Sequence, residues 1–428
     1  MAGPDLSALP LLDHHCHGVV AQDMDRATFE ALLTEGTSAG KHGGTLFDSG
    51  IGMEVRRRCA PVLGLEPFAG PDAYLERRTA LGWSEISRRF LSAAGLSGLF
   101  VDTGLPGPAL RSFPDAASAA YRDSAGADSA IVGSDLVNDP GGPDALDVPD
   151  ALGPEWSPAP LTDPSLLGRL AGAPTRTVLR LEAIAEELAA ARVSAAEFPA
   201  RITAAIERLA SGAVAAKTIA GYRSGLALPA RLTGRAALSR AVSTFLSSTR
   251  AATARADHTP SPRLTDPIII RFLIGCAIDN GLPLQIHTGY GNADLDLSES
   301  DPALLTPLLR ELEPTGVPVF LLHTYPFQRH AGYLAQIFDN VFCDVGLAIP
   351  HTGHRAGQVL AELLELAPYG KVLYSSDAFG LPELHYLGAE LFRSSLSRVL
   401  ADLDLPADEA ARIALMIAQG NAQRAYHR

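Results

Sequence analysis

The sequence predicts an α/β chain folded as a (β/α)8 TIM-type barrel with long insertions after the early strands, and three observations carry that prediction. Eight short apolar runs, bounded by Gly, Pro or Asp, have the character of buried parallel strands. Helical patterns separate most of them, the mark of repeated βαβ units. Side chains able to do chemistry recur at the C-terminal ends of the runs, the face on which such barrels keep their active sites.

In order, the predicted strands are Leu11–His17, Gly98–Thr103, Thr177–Glu182, Ala213–Ile219, Pro283–Thr288, Val317–His323, Val341–Gly346 and Lys371–Asp377. Predicted helices fall at Ala183–Ala191, Ala200–Ser211, Pro267–Asn280, Asp301–Leu312 and Gly357–Ala367, with closing helices at Glu390–Leu400 and Pro406–Ala418. Spacing between the strands is uneven, so residues 1–428 are read as one domain with loop or lid insertions around 18–96, 124–164 and 227–265. Ser124–Pro164, dense in Asp, Pro, Gly, Ser and Ala, reads as an extended lid, and Thr249–Pro262 as a second polar loop.

Composition narrows the function classes. The chain is 47% hydrophobic, enough for a large core, and carries 35 basic against 48 acidic residues for a net charge of −13. Such a surface repels phosphate backbones and anionic lipid, so neither nucleic acid nor membrane is the expected partner. A small molecule is, together with self-association into a homo-oligomer. Four cysteines without CxxC spacing, the absence of a signal-type N-terminus and the absence of a long apolar span predict a cytoplasmic protein.

His15 and His17 stand two apart on an extended run, which puts both imidazoles on one face, with Asp13 on that face and His14 and Cys16 on the other. A lone histidine in an apolar strand is usually a hydrogen-bonded core residue; a His-x-His pair ending the first strand shifts the reading towards a metal. His287 ends Leu-Gln-Ile-His, His323 ends Val-Phe-Leu-Leu-His and Asp377 ends Val-Leu-Tyr-Ser-Ser-Asp, each at a strand's C-terminal rim. A strand-end aspartate is by itself more often a helix cap. Imidazole with carboxylate suits Zn²⁺, with Mn²⁺ or Fe²⁺ as alternatives. Lys217 lies inside the apolar run Ala-Val-Ala-Ala-Lys-Thr-Ile-Ala, where an unpaired ammonium is costly. It is either an ion-paired or snorkelling lysine, or a carbamate whose oxygens bridge two ions.

The ordered set His15, His17, Lys217, His287, His323 and Asp377 resembles the metal-dependent amidohydrolase superfamily. Lys217-Thr-Ile-Ala-Gly-Tyr-Arg223-Ser-Gly and Ala418-Gln-Gly-Asn-Ala422 are similar to its FluG-type branch. The resemblance implies one ion on His15, His17 and Asp377 and a second on His287 and His323, bridged by carboxylated Lys217. In the one-ion variant, His323 is a catalytic acid or electrostatic group and Lys217 a substrate-binding cation. Hydrolysis of an amide or related C–N bond by metal-activated water follows, with Asp377 moving the proton and His323 or the second ion polarising the carbonyl. Arg223 is a candidate carboxylate clamp. Tyr222, Gln285, Glu182 and Tyr290, with Arg180 and His385, are candidate lining groups, and His42-Gly43-Gly44 a candidate loop over the site. The branch and the clamp point to a small acidic amide such as a γ-glutamyl conjugate. Three alternatives remain: a mononuclear decarboxylase of an aromatic acid on the same barrel, a sugar-acid isomerase, disfavoured because it gives Lys217 no role, and a non-catalytic binding barrel, which the full ligand set disfavours.

Overall fold

Seven of the eight predicted strands form one parallel sheet whose spatial order is the chain order: β1 (Leu11–Cys16), β2 (Leu96–Asp102), β3 (Thr175–Arg180), β4 (Ala213–Thr218), β5 (Leu284–His287), β6 (Val319–Leu322) and β7 (Val341–Cys343). The computed structural model describes residues 3–36, 44–104, 161–231, 234–255 and 262–426. Within them the architecture is a curled parallel sheet of TIM-like form. Most of the candidate lid 124–164, and His42 and Gly43 of the candidate loop, lie outside the described residues.

The eighth run is not a strand. Cys343 and Val372 form an isolated bridge, and Leu373 N–H donates to Cys343 O (3.1 Å). On the other side His14 N–H donates to Tyr374 O (3.2 Å) and Asp377 N–H to His15 O (3.0 Å). The segment therefore stands between β7 and β1, but its ladder is broken by side chains that take backbone partners. Ser376 N–H goes to the Asp13 carboxylate (3.0 Å), and Asn421 Nδ2 donates to both Tyr369 O and Val372 O (2.7 Å each). Apolar periodicity cannot register this competition.

Helices cover the outer face of the sheet and bury the larger apolar cluster, to which Leu99, Leu179, Ile274, Ile286 and Leu321 belong. A second cluster occupies the inside of the curl. Leu12, Phe100, Val178, Phe320, Leu322 and Leu373 point inward and are closed from below by Tyr426 of the helix Asn421–Tyr426. The Tyr426 ring stacks on Phe320 (centroids 4.2 Å apart, 4° between planes) and meets Phe100 edge-on at 5.0 Å.

The insertions hold more helix than a loop reading expects. Residues 18–96 contain helices at Pro71–Leu81 and Trp83–Ala93. The stretch 227–265 contains the helix Arg235–Arg255, so the polar loop expected from Thr249 is helical as far as Arg255. Leu238, Val242 and Phe245 recur there at helical spacing and pack on the core, and the Ala- and Arg-rich continuation has good helix propensity. No helix among the described residues is long and apolar enough to cross a membrane.

The first insertion is docked by a buried ion pair. Arg78 Nε and Nη2 donate to Glu383 Oε1 (2.6 Å) and Oε2 (3.0 Å), and Tyr74 Oη–H adds a third bond to Oε1 (3.0 Å). Glu383 opens the helix Pro382–Asp402, directly after the eighth segment. Both charges are buried, so removal of one strands the other. Arg78→Ala is expected to lower unfolding free energy by about 3–5 kcal/mol, measured by urea denaturation.

Candidate metal centre

Backbone irregularity, rather than regular alternation, sets the site on β1. The β1–β2 register shifts between Asp13 and Cys16. As a result His14 also points inside the curl, against Phe320 and Tyr426, instead of lying opposite His15 as strict alternation requires. Asp13 turns to the outer side, where it accepts from Ser376 N–H and Oγ–H.

Hydrogen bonds fix which nitrogen each imidazole presents. Gln285 Nε2 donates to His14 O (2.8 Å), which can only accept, so Gln285 Oε1 faces His15 Nδ1 (2.9 Å) and must accept from it. The His15 proton is therefore on Nδ1 and Nε2 carries a lone pair. His17 Nδ1–H likewise donates to Asp102 O (2.8 Å), leaving its Nε2 bare. Both Nε2 atoms approach Asp377 Oδ1, at 3.1 Å from His15 and 3.5 Å from His17. Donors about 2.0–2.1 Å from a tetrahedral ion stand about 3.3 Å apart, so these separations match one coordination sphere.

His323 and His287 complete the rim. His323 Nε2 lies 3.4 Å from Asp377 Oδ2, and the His287 and His323 rings are 4.6 Å apart. His287 Nε2, both ring nitrogens of His323 and Asp377 Oδ1 are buried without a hydrogen-bond partner. Orphaned buried polar atoms of this kind need an explanation, and a cation is the one their chemistry fits. His323, Thr324 and Asp377 have φ of 70°, 51° and 50°, a left-handed conformation that L-residues adopt at a cost. Asp344 holds His323 there: Oδ1 accepts from His323 N–H (3.0 Å), Gly346 N–H (2.8 Å) and Ser375 Oγ–H (2.9 Å), and its main-chain carbonyl from Thr324 Oγ1–H (2.8 Å). Just past the end of β5, Gly289 has φ of 72°, and a Cβ there would lie 2.3 Å from Tyr325 O.

Lys217 joins the centre from β4. Its Nζ donates to His15 Nε2 (2.8 Å) and lies 3.6 Å from Asp102 Oδ2, which also accepts from Arg180 Nε (3.1 Å) and Nη2 (2.8 Å). Burial draws the Lys217 ammonium down from its ordinary pKa, against the opposing charges of Asp102 and Asp377. Burial pushes Asp102 up, but Arg180 and Lys217 outweigh it and hold the carboxylate well below its usual range. Asp377 is likewise held well below its usual range in spite of burial, His323 facing its Oδ2 being the leading opposing influence. Burial and the Lys217 charge bring His15 to about 3. Burial, with the neighbouring histidine, holds His287 well below its usual value, and burial lowers His323. Neutral imidazoles around an ionised carboxylate are the protonation state that a divalent ion requires.

The predicted lining groups divide. Tyr222 packs on His287 at 4.4 Å, with its hydroxyl under the Gly291–Asn292 backbone. Tyr290 stands at the mouth, 5.5 Å from the His351 ring. Gln285 acts on His15 as described. Glu182 faces Thr218 Oγ1 (2.5 Å) and Ile219 N (3.1 Å), tying the end of β3 to the end of β4. Arg223 Nη2 lies 3.5 Å from Glu186 Oε1. His385 is buried behind β1 beside Asp13 and Cys16. Five residues of the site lie outside the predicted set: Asp102, Asp344, His14, Glu35 and His351. Asp102 and Asp344 end apolar runs just as Asp377 does, so the same strand-end rule finds them. Glu35, raised to about 7 by burial and then by Asp377, has no such signal.

Fold and site together define an α/β enzyme scaffold with its chemistry gathered at the C-terminal ends of parallel strands. The model of the family described as Amidohydrolase matches residues 135–428, more than half of the chain, and the chain belongs to the amidohydrolase family, which is generally metal-dependent. Its FluG-type affinity is visible in 37% identity over 150 residues to protein fluG of Emericella nidulans, a stretch that is 34% of this chain and 17% of that protein. The chain thus matches only a small part of that relative's length. In three dimensions it is similar to a crystal structure from Lactobacillus casei ATCC 334, itself only provisionally named a metal-dependent hydrolase, with TM-score 0.72, 24% identity and coverage of 99% and 98% of the two chains. A uronate isomerase from Bacillus halodurans C-125 shares the fold at TM-score 0.56 and 14% identity, covering 99% and 94%.

Two outcomes follow from this geometry. Dialysis against a chelator should lower thermal stability, and Zn²⁺ restored at a hundred times its Kd should return about 2.7 kcal/mol, read by calorimetry. Burial pushes the Asp344 carboxyl up, but the hydrogen bonds from His14 Nε2 (3.0 Å) and Gly346 N–H (2.8 Å) outweigh it and hold the group well below the usual range. Its contribution to stability is therefore complete above the unfolded value of about 3.9 and is lost as pH falls below it. Denaturation from pH 6 to pH 3 should show a shallower acid limb for Asp344→Asn than for the native chain.

Proposed function

We propose that this chain hydrolyses an amide or related C–N bond of a small, carboxylate-bearing molecule, in the first instance a γ-glutamyl amide. The observation that carries the reading is the convergence of His15 Nε2, His17 Nε2 and the unpartnered Asp377 Oδ1 at one point on the strand-end rim. In this reading the segment through Asp377 serves as the eighth stave of a (β/α)8 barrel, and the insertions belong to one domain and border its mouth. His15, His17 and Asp377 would hold a divalent ion, with Zn²⁺ best suited to the donors, and such an ion would supply Lewis acidity and lower the pKa of water towards neutrality.

The chain's own residues do the rest. Asp377 turns its other oxygen, Oδ2, away from the point where His15 and His17 converge and towards His323, so that oxygen can accept a proton from the attacking water and return it to the leaving nitrogen. His323, facing Asp377 Oδ2 with both ring nitrogens unbonded, is placed to polarise the scissile carbonyl. Tyr222 and Tyr290 line the substrate side. Arg223 would have to exchange Glu186 for a substrate carboxylate to act as a clamp.

One observation supports the single-ion alternative. Asp102 stands 3.6 Å from Lys217 Nζ and favours an ammonium there, whereas a bridging carbamate would set two anions side by side. In that arrangement His287 and His323 face the substrate, and decarboxylation of an aromatic acid becomes the competing chemistry. Metal content decides: two ions per chain with bicarbonate-dependent loading supports the carbamate, and one ion the alternative. For the reaction itself, amine release from γ-glutamyl amides and CO₂ release from aromatic acids are measured side by side on the Zn²⁺-loaded enzyme. Asp377→Asn is expected to lower the hydrolytic rate about 10²–10⁴-fold. Retention of the full rate by that variant would rule out the assigned role.

A further inference from the structure

Beneath the metal centre the hydrogen bonds form a directed circuit that ends on one tyrosine. Gln285 Nε2 has two protons: one goes to His14 O (2.8 Å) and the other to Tyr426 Oη (2.8 Å). Having accepted from Gln285, the Tyr426 hydroxyl directs its own proton to His14 Nδ1 (2.9 Å). His14 Nε2 then donates to Asp344 Oδ2 (3.0 Å), whose other oxygen receives the His323 main-chain N–H (3.0 Å). From the opposite end of the same amide, Gln285 Oε1 accepts the His15 Nδ1 proton (2.9 Å). His14, Gln285 and Asp344 are fully buried and Tyr426 nearly so. One hydroxyl thus bears on both arms of the site, on His15 through Gln285 and on His323 through His14 and Asp344.

We infer that Tyr426 is a positioning residue for the metal centre: its hydroxyl locks the Gln285 amide and thereby the His15 tautomer that leaves Nε2 free for the ion. The ring alone cannot do this. Its stacking on Phe320 and its edge contact with Phe100 need no oxygen, so packing and positioning are separable by a single atom. Without the hydroxyl, one Gln285 N–H loses its acceptor and His14 Nδ1 its donor in a dry interior. The amide is then held by one bond in place of two on its nitrogen side, so the Nδ1 anchor of His15 loosens, and once an ion displaces Lys217 Nζ from His15 Nε2 the ring has less to hold it in the ligating orientation. Groups that orient a ligating histidine typically set metal affinity by about 10- to 100-fold.

This inference rests on the metal-centre reading above, and its test separates the two. Apo-protein is titrated with Zn²⁺ in competition with a chromophoric chelator, for the wild type, Tyr426→Phe, Gln285→Leu and the double variant. Tyr426→Phe is expected to weaken Zn²⁺ by about 10- to 100-fold, and the double variant to bind no more weakly than Gln285→Leu alone, because the hydroxyl acts through the amide. With Co²⁺ as probe, the visible absorption should change in Tyr426→Phe. A tyrosine that only packs would lower the thermal midpoint while leaving Zn²⁺ affinity and the Co²⁺ spectrum as in the wild type, and that result overturns the inference. Multiplicative losses in the double variant overturn the route through Gln285. Should Tyr426→Phe not fold, Gln285→Leu with unchanged affinity and spectrum also overturns it. A wild-type protein that binds neither ion overturns the site reading as well.

Discussion

An ionised carboxylate faced by a ring of imidazole nitrogens at the strand-end rim is the constraint around which the rest of the molecule is arranged. Asp377 is mostly buried, with 10% of its side chain exposed, and its Oδ1 accepts no hydrogen bond, while His15 and His17 turn their Nε2 atoms towards it. Lone pair facing lone pair at such distances is repulsive unless positive charge stands between them. The chain brings one such charge of its own, the Lys217 ammonium against His15 Nε2, and sets it beside Asp102, which also pairs with Arg180. What remains uncompensated is on the His17, His287 and His323 side, where an external cation has most to gain.

Holding so unfavourable a set of groups in place needs backbone that regular strands cannot provide. Three non-glycine residues with positive φ fall on or beside the rim, at His323, Thr324 and Asp377. Each is fastened by side chains. Asp344 gathers the amides of His323 and Gly346, and Asp13 the amide and hydroxyl of Ser376, next to Asp377. The acids beneath the rim act as staples for a strained main chain, and their carboxylates are satisfied by N–H and O–H groups rather than by salt bridges alone.

The strand-end rule explains why so much of this was legible in the amino-acid sequence. His15, His17, Lys217, His287, His323 and Asp377 come from four strands or their ends and one irregular segment, yet they meet because a parallel sheet points all its C-terminal ends the same way. The parts that were not legible are those where one backbone group changes partner. Strict alternation puts His14 opposite His15; the register shift after Asp13 turns both inward, and nothing in Leu-Leu-Asp-His-His-Cys-His announces it. The run ending at Asp377 has a strand's composition but loses its ladder to Asp13 and Asn421, two side chains far away in sequence. Thr249 to Arg255 reads as a polar loop because its buried partners lie earlier on the same helix. Arg223 carries the right charge for a clamp, and only the fold reveals that Glu186 stands next to it.

The seam between β1 and the segment before Asp377 also bears on how the chain reaches its native state. His14 N–H must find Tyr374 O, and Tyr426 must find His14, across nearly the whole length of the molecule. Contacts of such sequence separation form late, because the entropy of closing so large a loop is lost before the contact returns anything. Until then β1 has an open edge carrying Leu11, Leu12 and Cys16, a surface apt for pairing with another chain. The histidines that serve the centre sit on that same edge, so ion capture by an incompletely closed chain would couple cofactor loading to the last step of folding.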